Sequence, residues 1–260
     1  MRTKLVGKVK YLQFESFPEQ KVIHAIFTRQ GGVSPAPWDS LNQGGTTGDS
    51  RERVIENRRI AFNSVGLKVE TIFDVWQVHG TKIIESDEPR DLDQPHEKAD
   101  GILTTKKEVT LFMRFADCVP ILLFEPDHNV IAIVHAGWQG TTKRIAAIAV
   151  EKMVDNYHCD RENIIAGIGP SIGPDHYFVK ADVISQVMKA YPDSWKNVLR
   201  HKGESVSFDL WESNRICLEE SGIKKIEIAG LCTACNLGDW YSHRAEGSKT
   251  GRIGVLLAIK

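Results

Sequence analysis

Two stretches decide the fold: VTLFMRFADCVPILLF (residues 109–124) and VIAIVHAGW (residues 130–138). The first holds two apolar runs separated at residues 116–120, and the second is a third apolar run that ends near His135. Continuous apolar runs of this length are typical of strands buried in a sheet. The pattern therefore predicts three buried strands, with Cys118 and His135 at their breaks or ends.

Other strand and helix patterns flank these runs. Further strands are predicted at KVIHAIFT (21–28), IFDVWQVHG (72–80), TKIIES (81–86), IEIAGLC (226–232) and RIGVLLAIK (252–260). Helices are predicted at 51–64 with Ser50 as cap, within 136–154 after a glycine-containing turn, at 182–191, and at 209–221 between Asp209 and Gly222. Strands and helices alternate irregularly, which favours an α/β (α+β) fold: a layered mixed β-sheet core with helices packed outside, in a single domain spanning 1–260.

One long segment lacks either pattern. RQGGVSPAPWDSLNQGGTTGDS (29–50) is so rich in Gly, Pro, Ser and Asn that it is predicted to be an irregular loop. Loops of this length inside a compact domain are usually functional.

Composition narrows the class of protein. The 33 basic and 34 acidic residues nearly cancel, so no global field favours nucleic acid or an anionic membrane. No apolar stretch approaches the roughly 20 residues that span a bilayer, and the amino terminus has no apolar signal core. We therefore expect a cytoplasmic monomer or small homo-oligomer. Five cysteines, an odd number at irregular spacing, are expected to be reduced.

Three widely separated residues form a potential metal site: His79, Cys118 and His135. Two imidazoles and a thiolate bind zinc or copper, and a catalytic zinc site has three protein ligands and one open position. Each of the three is flanked by turn formers or polar residues, in QVHG, ADCVP and HAGWQGT. Spacing alone does not distinguish this site from a buried cysteine and two hydrogen-bonded histidines.

Short motifs along the whole chain resemble one family, the laccase-like domain proteins, formerly called multicopper polyphenol oxidases and now treated as purine nucleoside enzymes. Besides the three segments above, these motifs are FTRQGGVS (27–34), SLNQGGTTGD (40–49), ENR (56–58), ADGILT (99–104), GIGPSIG (167–173), CTACN (232–236), YSHRAEG (241–247) and TGRIG (250–254). Each is modest, but their shared order makes the resemblance specific.

The resemblance implies a catalytic zinc or copper centre at His79, Cys118 and His135. It also implies phosphorolysis of adenosine, inosine and methylthioadenosine, deamination of adenosine, and a fold similar to the catalytic domain of cytotoxic necrotizing factor. Zinc-activated hydroxide suits the deamination, because it can attack C6 of adenine. An oxidase is disfavoured, since blue-copper oxidases use paired His-x-His ligands and the chain contains none.

Four further residues are predicted to bind the purine nucleoside or phosphate: Asn42, Arg58, Gln77 and Thr141. The amides of Asn42 and Gln77 can read a purine edge or ribose hydroxyls, or they can stabilise loops. Phosphate is predicted at the helix start within residues 137–142, where backbone N–H groups favour anions, with Arg29 or Arg58 nearby.

Several other groups remain open to two interpretations. Cys232 and Cys235 form a CxxC motif, for which a structural role is favoured over a redox pair or half of a zinc site. Asp117 either orients a metal ligand or caps a turn. Arg244 and Arg252 either bind anions or form surface ion pairs.

Two alternative functions remain at this point. A metal-free cysteine hydrolase, an amidase or deamidase, would use Cys118 as nucleophile and His135 as base. A non-enzymatic metal-binding protein would use the same three residues only to store the ion.

Overall fold

Two mixed six-stranded sheets form the centre of the fold in the computed structural model, which describes residues 1–91 and 93–260. In chain order the strands are β1 (Arg2–Val6), β2 (Val9–Gln13), β3 (Val22–Phe27), β4 (Ile72–Phe73), β5 (Ile83–Glu85), β6 (Gly101–Thr104), β7 (Thr110–Phe115), β8 (Val119–Glu125), β9 (Val130–Ala136), β10 (Ile165–Ile168), β11 (Phe178–Val179), β12 (Leu199–Lys202), β13 (Ser205–Phe208), β14 (Lys225–Ile228) and β15 (Ile253–Ile259). The first sheet has the order β1-β2-β3-β15-β7-β4 and the second β14-β10-β8-β9-β6-β5. A smaller sheet has the order β11-β13-β12.

Strands β8 and β9 lie at the centre of the second sheet and are buried along their whole lengths. Alternate side chains serve different cores: Leu122 and Phe124 join the cluster shared with the first sheet, whereas Ile121 and Leu123 join the cluster shared with helices. Burial of both faces explains the continuous apolar runs. The structure confirms the predicted buried strands.

Helices cover the outer faces of the two sheets. They are α1 (Arg51–Ser64), α2 (Trp138–Thr142), α3 (Ile145–Tyr157), α4 (Ala181–Ala190), α5 (Trp195–Val198), α6 (Leu210–Glu220) and α7 (His243–Glu246), with a short 3₁₀ helix at Val69–Thr71. Helix α1 packs on the first sheet through Phe62, and α3 and α6 pack on the second through a cluster that includes Val150 and Ile216. The predicted layered α/β fold is confirmed, and the further likeness to cytotoxic necrotizing factor stays a prediction. Among the described residues, no helix is long and apolar enough to cross a membrane.

The predicted helix caps are present. The hydroxyl of Ser50 accepts a hydrogen bond from the N–H of Arg53, and the carboxylate of Asp209 accepts one from Glu212. Gly222 has a positive φ of 87° just after α6, where a left-handed residue ends a helix without strain.

Two predicted elements are shorter than expected. The strand predicted at 72–80 is a strand only at Ile72–Phe73, because the N–H groups of residues 78–80 bind a carboxylate instead of a neighbouring strand.

The helix predicted after the glycine-containing turn is present as α3, which begins at Ile145. Arg144, directly before it, adopts the left-handed conformation, with φ of 59°, and so separates α3 from α2.

The second shortened element is the strand predicted at 226–232. It ends at Ile228, and the chain then turns, so that Cys232 bridges to Ser171 rather than extending the sheet.

Candidate metal centre and cavity

Antiparallel pairing of β8 with β9 brings Cys118 and His135 together. Pro120 pairs with His135 in this ladder, and Cys118 directly precedes β8. Sγ of Cys118 lies 3.7 Å from Nε2 of His79, and one donor atom from each of the three residues lies within 4.8 Å of the others. The structure thus assembles the three predicted ligands at the end of the central hairpin.

Asp100 holds the two histidines in place. Its carboxylate accepts hydrogen bonds from the N–H groups of Val78, His79 and Gly80, at 3.2, 2.9 and 2.6 Å. The same carboxylate lies 2.8 Å from Nδ1 of His135. Because Nδ1 contacts the carboxylate, the lone pair of Nε2 in His135 is available to a metal ion, which is the arrangement usual for a metal-binding histidine.

The backbone around the ligands is constrained. His79 and Asp117 adopt positive φ values of 59° and 77°, which non-glycine residues rarely do. A Cβ on Gly137 would lie 2.9 Å from Sγ of Cys118 and 3.0 Å from Cδ2 of His79. Glycine is therefore required there for the ligands to approach one another.

The electrostatics of the cluster favour a thiolate. Burial alone would raise the pKa of the Cys118 thiol, but His135 and His79 outweigh it and bring that pKa to about 6. Burial would likewise lower the pKa of His135, but the charge of Cys118 and the hydrogen bond to Asp100 raise it to about 9. Each group thus stabilises the charged form of the other.

This donor set fits a metal ion. A tetrahedral zinc with sulfur at about 2.3 Å and nitrogen at about 2.05 Å places those two donors about 3.6 Å apart. The 3.7 Å separation of Sγ in Cys118 from Nε2 in His79 agrees with this geometry. One thiolate and two imidazoles would supply three ligands, and a tetrahedral ion would keep a fourth position for water or substrate.

The three ligands line a cavity of about 620 Å³. This volume lies in the range of roughly 300–1,000 Å³ that is usual for small-molecule sites. The aromatic and aliphatic side chains of its wall are Trp76, Trp138, Ile172, Tyr177 and Leu210, and its basic side chains are Arg58, His96, Arg114, His243, Arg244 and Arg252. Such a lining suits an anionic or phosphate-bearing ligand with an apolar, flat portion.

Part of this positive charge is gathered around one buried carboxylate, that of Asp74. Arg90 and Arg114 each lie 2.7 Å from it, His96 lies 2.9 Å away and Arg58 lies 3.7 Å away. Burial and the neighbouring charge of Arg114 lower the pKa of Arg58 to about 10. Three guanidinium groups thus share one carboxylate, and the excess positive charge faces the cavity through Arg58 and Arg114.

Two more arginines line another part of the wall. Arg244 lies over the ring of Tyr177, with its Cζ 4.8 Å from the ring centre, and donates to the carbonyl of Phe178. Arg252 donates to the carbonyls of Thr250 and Gly251. Among the described residues neither guanidinium forms a salt bridge, and anion binding by these two arginines stays a prediction.

Of the four predicted substrate-binding residues, Arg58 and Gln77 line the cavity and Asn42 and Thr141 do not. Asn42 is fully buried and organises its own loop, donating to Asp49 and accepting from the N–H of Arg252. Thr141 is fully buried within α2 and accepts a hydrogen bond from Asn214. Internal hydrogen bonds use these polar groups, and substrate binding by either residue stays a prediction.

For the phosphate site predicted at residues 137–142, the structure shows two unfavourable features. Arg29 does not line the cavity, because its guanidinium stacks on Tyr241 and donates to Glu246 and to the carbonyl of Asp39. Helix α2, which begins at Trp138, has only five residues, too few to build a substantial dipole.

Sequence reasoning missed three residues at the site: Asp100, Arg114 and His96. Asp100 lies in the ADGILT motif, directly before a buried strand, and this position was the available signal. Arg114 interrupts an apolar run, and a charge in such a run signals a functional position. His96 lies in an acidic, polar connection and carries no signal of its own.

Asp117, for which two roles were open, holds turns together. Its carboxylate accepts from the hydroxyl of Thr233 at 2.6 Å and from the N–H of Arg244 at 2.6 Å. It makes no contact with His79 or His135 among its hydrogen bonds, so it supports the backbone next to Cys118.

Comparison with known proteins gives a consistent family. Relatives named purine nucleoside phosphorylase include one from Deinococcus radiodurans, 34% identical over 93% of this chain and 91% of its own length. Purine nucleoside phosphorylase YlmD of Bacillus subtilis is 32% identical over 93% of this chain and 90% of its own. The human relative, purine nucleoside phosphorylase LACC1, is 29% identical over 98% of this chain and 60% of its own.

Solved structures share the fold. YlmD from Geobacillus stearothermophilus superposes with a TM-score of 0.93 at 29% identity, covering 99% of this chain and 98% of that one. The hypothetical protein YfiH of Bacillus licheniformis gives a TM-score of 0.92 at 29% identity, covering 99% of both chains. Because a family model also matches residues 23–260, the chain belongs to the laccase-like family described as multi-copper polyphenol oxidoreductase laccase.

Proposed function

We propose that this protein is a metal-dependent purine nucleoside phosphorylase acting on adenosine, inosine and methylthioadenosine, with additional adenosine deaminase activity. One observation carries the proposal: three metal-binding side chains converge on a cavity that is lined by arginines and aromatic rings. The names of the relatives support the phosphorylase part of this proposal.

His79, Cys118 and His135 are the proposed catalytic ligands of zinc or copper. When bound there, the ion would lower the pKa of a coordinated water or polarise a substrate oxygen. The protein's own contribution is orientation, since Asp100 fixes the ring of His135 and the turn that carries His79.

Phosphorolysis needs a bound phosphate near C1′ of the ribose. A phosphate oxygen forms a bond to C1′ while the bond from C1′ to N9 breaks, and the departing purine takes up a proton. Arg58, Arg114 and His96 are proposed to hold the phosphate. The two guanidinium groups carry more positive charge than the carboxylate of Asp74 neutralises, and His96 adds a ring nitrogen for hydrogen bonding. Of the residues predicted to bind substrate, Arg58 thus keeps its role.

The purine is proposed to pack against the apolar part of the wall, where Trp76, Trp138 and Tyr177 lie. Gln77 donates one N–H to the carbonyl of Arg114, at 2.7 Å, and its Oε1 accepts from the N–H of the same residue. An amide has two N–H donors, so Gln77 retains one for the nucleoside.

Incubation of the purified protein with adenosine, with and without inorganic phosphate, separates the two activities. Phosphorolysis yields adenine and ribose 1-phosphate only when phosphate is present. Deamination exchanges the C6 amino group for oxygen from water and yields inosine and ammonia without phosphate. Chromatography of the products measures both reactions.

Single substitutions test the ligands. His79→Ala, Cys118→Ala and His135→Ala are each expected to lower both activities about a thousandfold, since metal-ion catalysis supplies several kcal/mol. His201→Ala, an exposed histidine outside the cavity, and Cys159→Ala, a buried cysteine, are the matched controls. Unchanged product formation in all three ligand variants would remove the catalytic assignment.

A metal-free cysteine hydrolase is the second candidate, and one observation favours it. Asp100, His135 and Cys118 are arranged as an acid, a base and a nucleophile, with Nδ1 of His135 2.8 Å from Asp100. A thiolate bound to metal is a poor nucleophile. Freshly purified protein that holds no metal and loses its activity with iodoacetamide would favour the hydrolase.

A non-enzymatic metal-binding protein remains the third candidate. It predicts the same metal content as the phosphorylase but no product from adenosine in either condition. The activity measurement therefore distinguishes storage of the ion from catalysis.

A further inference from the structure

A second cluster of metal-binding side chains lies outside the candidate cavity and consists of His176, Cys232 and Cys235. His176 follows β10, and the two cysteines follow β14. These strands are parallel neighbours, so their carboxyl ends lie at the same edge of the sheet. A bridge between Ser171 and Cys232 then fixes the two following turns side by side.

The distances within this cluster suit tetrahedral coordination. Nδ1 of His176 lies 3.5 Å from Sγ of Cys235 and 3.7 Å from Sγ of Cys232. A zinc ion bound by sulfur and nitrogen at ordinary lengths sets these donors about 3.6 Å apart. A CxxC turn with a histidine from another segment is also a ligand combination typical of zinc sites.

The backbone also holds the sulfur of Cys232 in place. The N–H of Gly173 donates a hydrogen bond to Sγ of Cys232 at 3.1 Å. A Cβ on Gly173 would lie 3.1 Å from Cβ of Cys232 and 3.1 Å from the ring of Trp211. Glycine therefore allows this close approach.

The cluster opens into a cleft of about 460 Å³, separate from the cavity described above. Arg200, Trp211 and Asn236 contribute to its wall. Three protein donors and an open cleft leave a fourth coordination position for water or another small ligand.

The same turn is tied to the candidate active site. Thr233, between the two cysteines, donates its hydroxyl to Asp117 at 2.6 Å and its N–H to the carbonyl of Ser171 at 3.0 Å. Asp117 precedes Cys118 in the chain. A metal ion that fixes the CxxC turn would therefore also fix the backbone next to Cys118.

Another group of neighbouring donors, Glu125, His128 and Cys159, has a simpler explanation. Glu125 accepts from the N–H groups of Asp127 and His128 and so closes the turn between β8 and β9. Burial raises the pKa of the Cys159 thiol to about 12, so this group remains protonated. Its donors are already used within the fold.

We infer that His176, Cys232 and Cys235 form a second, thiolate-rich binding site for a zinc ion, which anchors the turn supporting Asp117. Two thiolates and one neutral imidazole neutralise a divalent ion. This ion is a structural anchor, and the reacting nucleoside occupies the other cavity.

Metal content measured by mass spectrometry tests this site. The full chain is purified with a reductant, loaded with zinc, and washed with a weak competing chelator. We expect two zinc ions per chain in the unaltered protein. Each of the single variants Cys235→Ser, His176→Ala and Cys118→Ser should hold one ion. The Cys118→Ser/Cys235→Ser double variant should hold none. Because Cys235 is exposed, its substitution leaves the core intact.

The control is His201→Ala, an exposed histidine outside both clusters, which should retain two ions. One ion in the unaltered protein, with no change in Cys235→Ser or His176→Ala, would overturn the inference. This failure is distinct from failure of the proposed function, because Cys118→Ser removes the first ion independently.

Cobalt provides a second measurement that is independent of stability. Sulfur bound to Co²⁺ gives a charge-transfer band. The Cys118→Ser variant should therefore retain this band, and the Cys118→Ser/Cys235→Ser double variant should lack it. If Cys232 and Cys235 form a disulfide in air, and after reduction the Cys118→Ser variant still shows no such band, the pair is a redox couple and the metal site is refuted.

Discussion

The two clusters offer similar donors in opposite surroundings. At the candidate metal centre, His135 is buried and bound to the carboxylate of Asp100, and arginines line the adjoining cavity. At the second cluster, Cys235 is exposed, and within the described part of the chain no carboxylate forms a hydrogen bond with His176. The ligands alone therefore do not set the role of a site.

The carboxylate behind the histidine explains the difference, rather than the charge of the ion. One thiolate leaves a bound divalent ion with a net charge of +1 and two thiolates neutralise it, but neutral Cys₂His zinc also serves catalysis in enzymes. A carboxylate behind a histidine also fixes the orientation of the ring and raises its basicity. The first centre is thus suited to chemistry and the second to holding two turns together.

The largest effect outside the ligands is expected at Asp100. Asp100→Asn replaces a carboxylate that accepts from His135 and from the turn carrying His79 by an amide with only one acceptor oxygen. We expect metal affinity and kcat/KM for adenosine to fall about 10- to 100-fold. Competition with a chelator and steady-state kinetics measure the two quantities.

Asp209→Asn is the matched control, because Asp209 is also buried and caps α6 but does not itself line the cavity. It should lower stability without changing metal affinity. An Asp100→Asn variant that binds zinc within twofold of the unaltered protein would contradict the proposed orienting role.

The next effect concerns phosphate. Arg58→Gln removes a guanidinium that faces the cavity, and we expect KM for phosphate to rise about tenfold, since a hydrogen bond to a charged group contributes about 1.5 kcal/mol or more. Deamination, which needs no phosphate, should keep its rate. Both reactions are measured on the same preparation of each variant, so that the change in KM for phosphate is compared directly with the change in the deamination rate.

Arg90 is a suitable control for Arg58, because it pairs with the same carboxylate of Asp74 but does not line the cavity. Arg90→Gln should leave KM for phosphate unchanged. An equal increase in KM for phosphate in Arg58→Gln and Arg90→Gln would mean that these arginines act only by pairing with Asp74. The proposed phosphate site would then be refuted.

A smaller effect is expected from the backbone. In Gly137→Ala the new methyl group would lie 2.9 Å from Sγ of Cys118, and relief of this overlap costs about 1 kcal/mol or more. Metal affinity at the first centre should fall about fivefold, while zinc at the second cluster stays bound. Gly45→Ala is the control, since Gly45 lines the same cavity and a Cβ there meets nothing within 4 Å.

The sequence predicted what depends on local pattern. The apolar runs gave the buried strands, and the positions of Cys118 and His135 at strand ends gave a reason to expect them near one another. Their adjacency follows from one antiparallel hairpin, in which Val119 pairs with Ala136. Such a contact can be predicted from sequence, because in a hairpin of two adjacent strands the positions along the chain determine which residues lie opposite each other.

What the sequence did not predict depends on where hydrogen bonds are used. Asn42 and Thr141 are polar residues near the site, but each is consumed by internal bonds that no pattern reveals. Asp100 was missed because its role requires three N–H groups of a distant turn to converge on it. His176 joins the CxxC motif only through the parallel pairing of two strands, which sequence spacing does not display.

The smallest effect concerns the connection between the two clusters. Thr233→Val keeps the shape of the side chain but removes its hydrogen bond to Asp117. The carboxylate of Asp117 still accepts the hydrogen bond from the N–H of Arg244. We expect the free energy of unfolding to fall by about 1 kcal/mol. Because the loss loosens the backbone next to Cys118, kcat/KM should fall a few-fold while both metal ions remain bound.

Thr233→Ser restores the hydroxyl and should recover both quantities. Urea unfolding, metal analysis and kinetics on the two variants separate three results. If activity falls in Thr233→Val while stability and metal content stay unchanged, the hydroxyl acts on substrate rather than on the backbone. If stability falls but activity does not, the turn supports the fold alone, and the second cluster has no influence on the first.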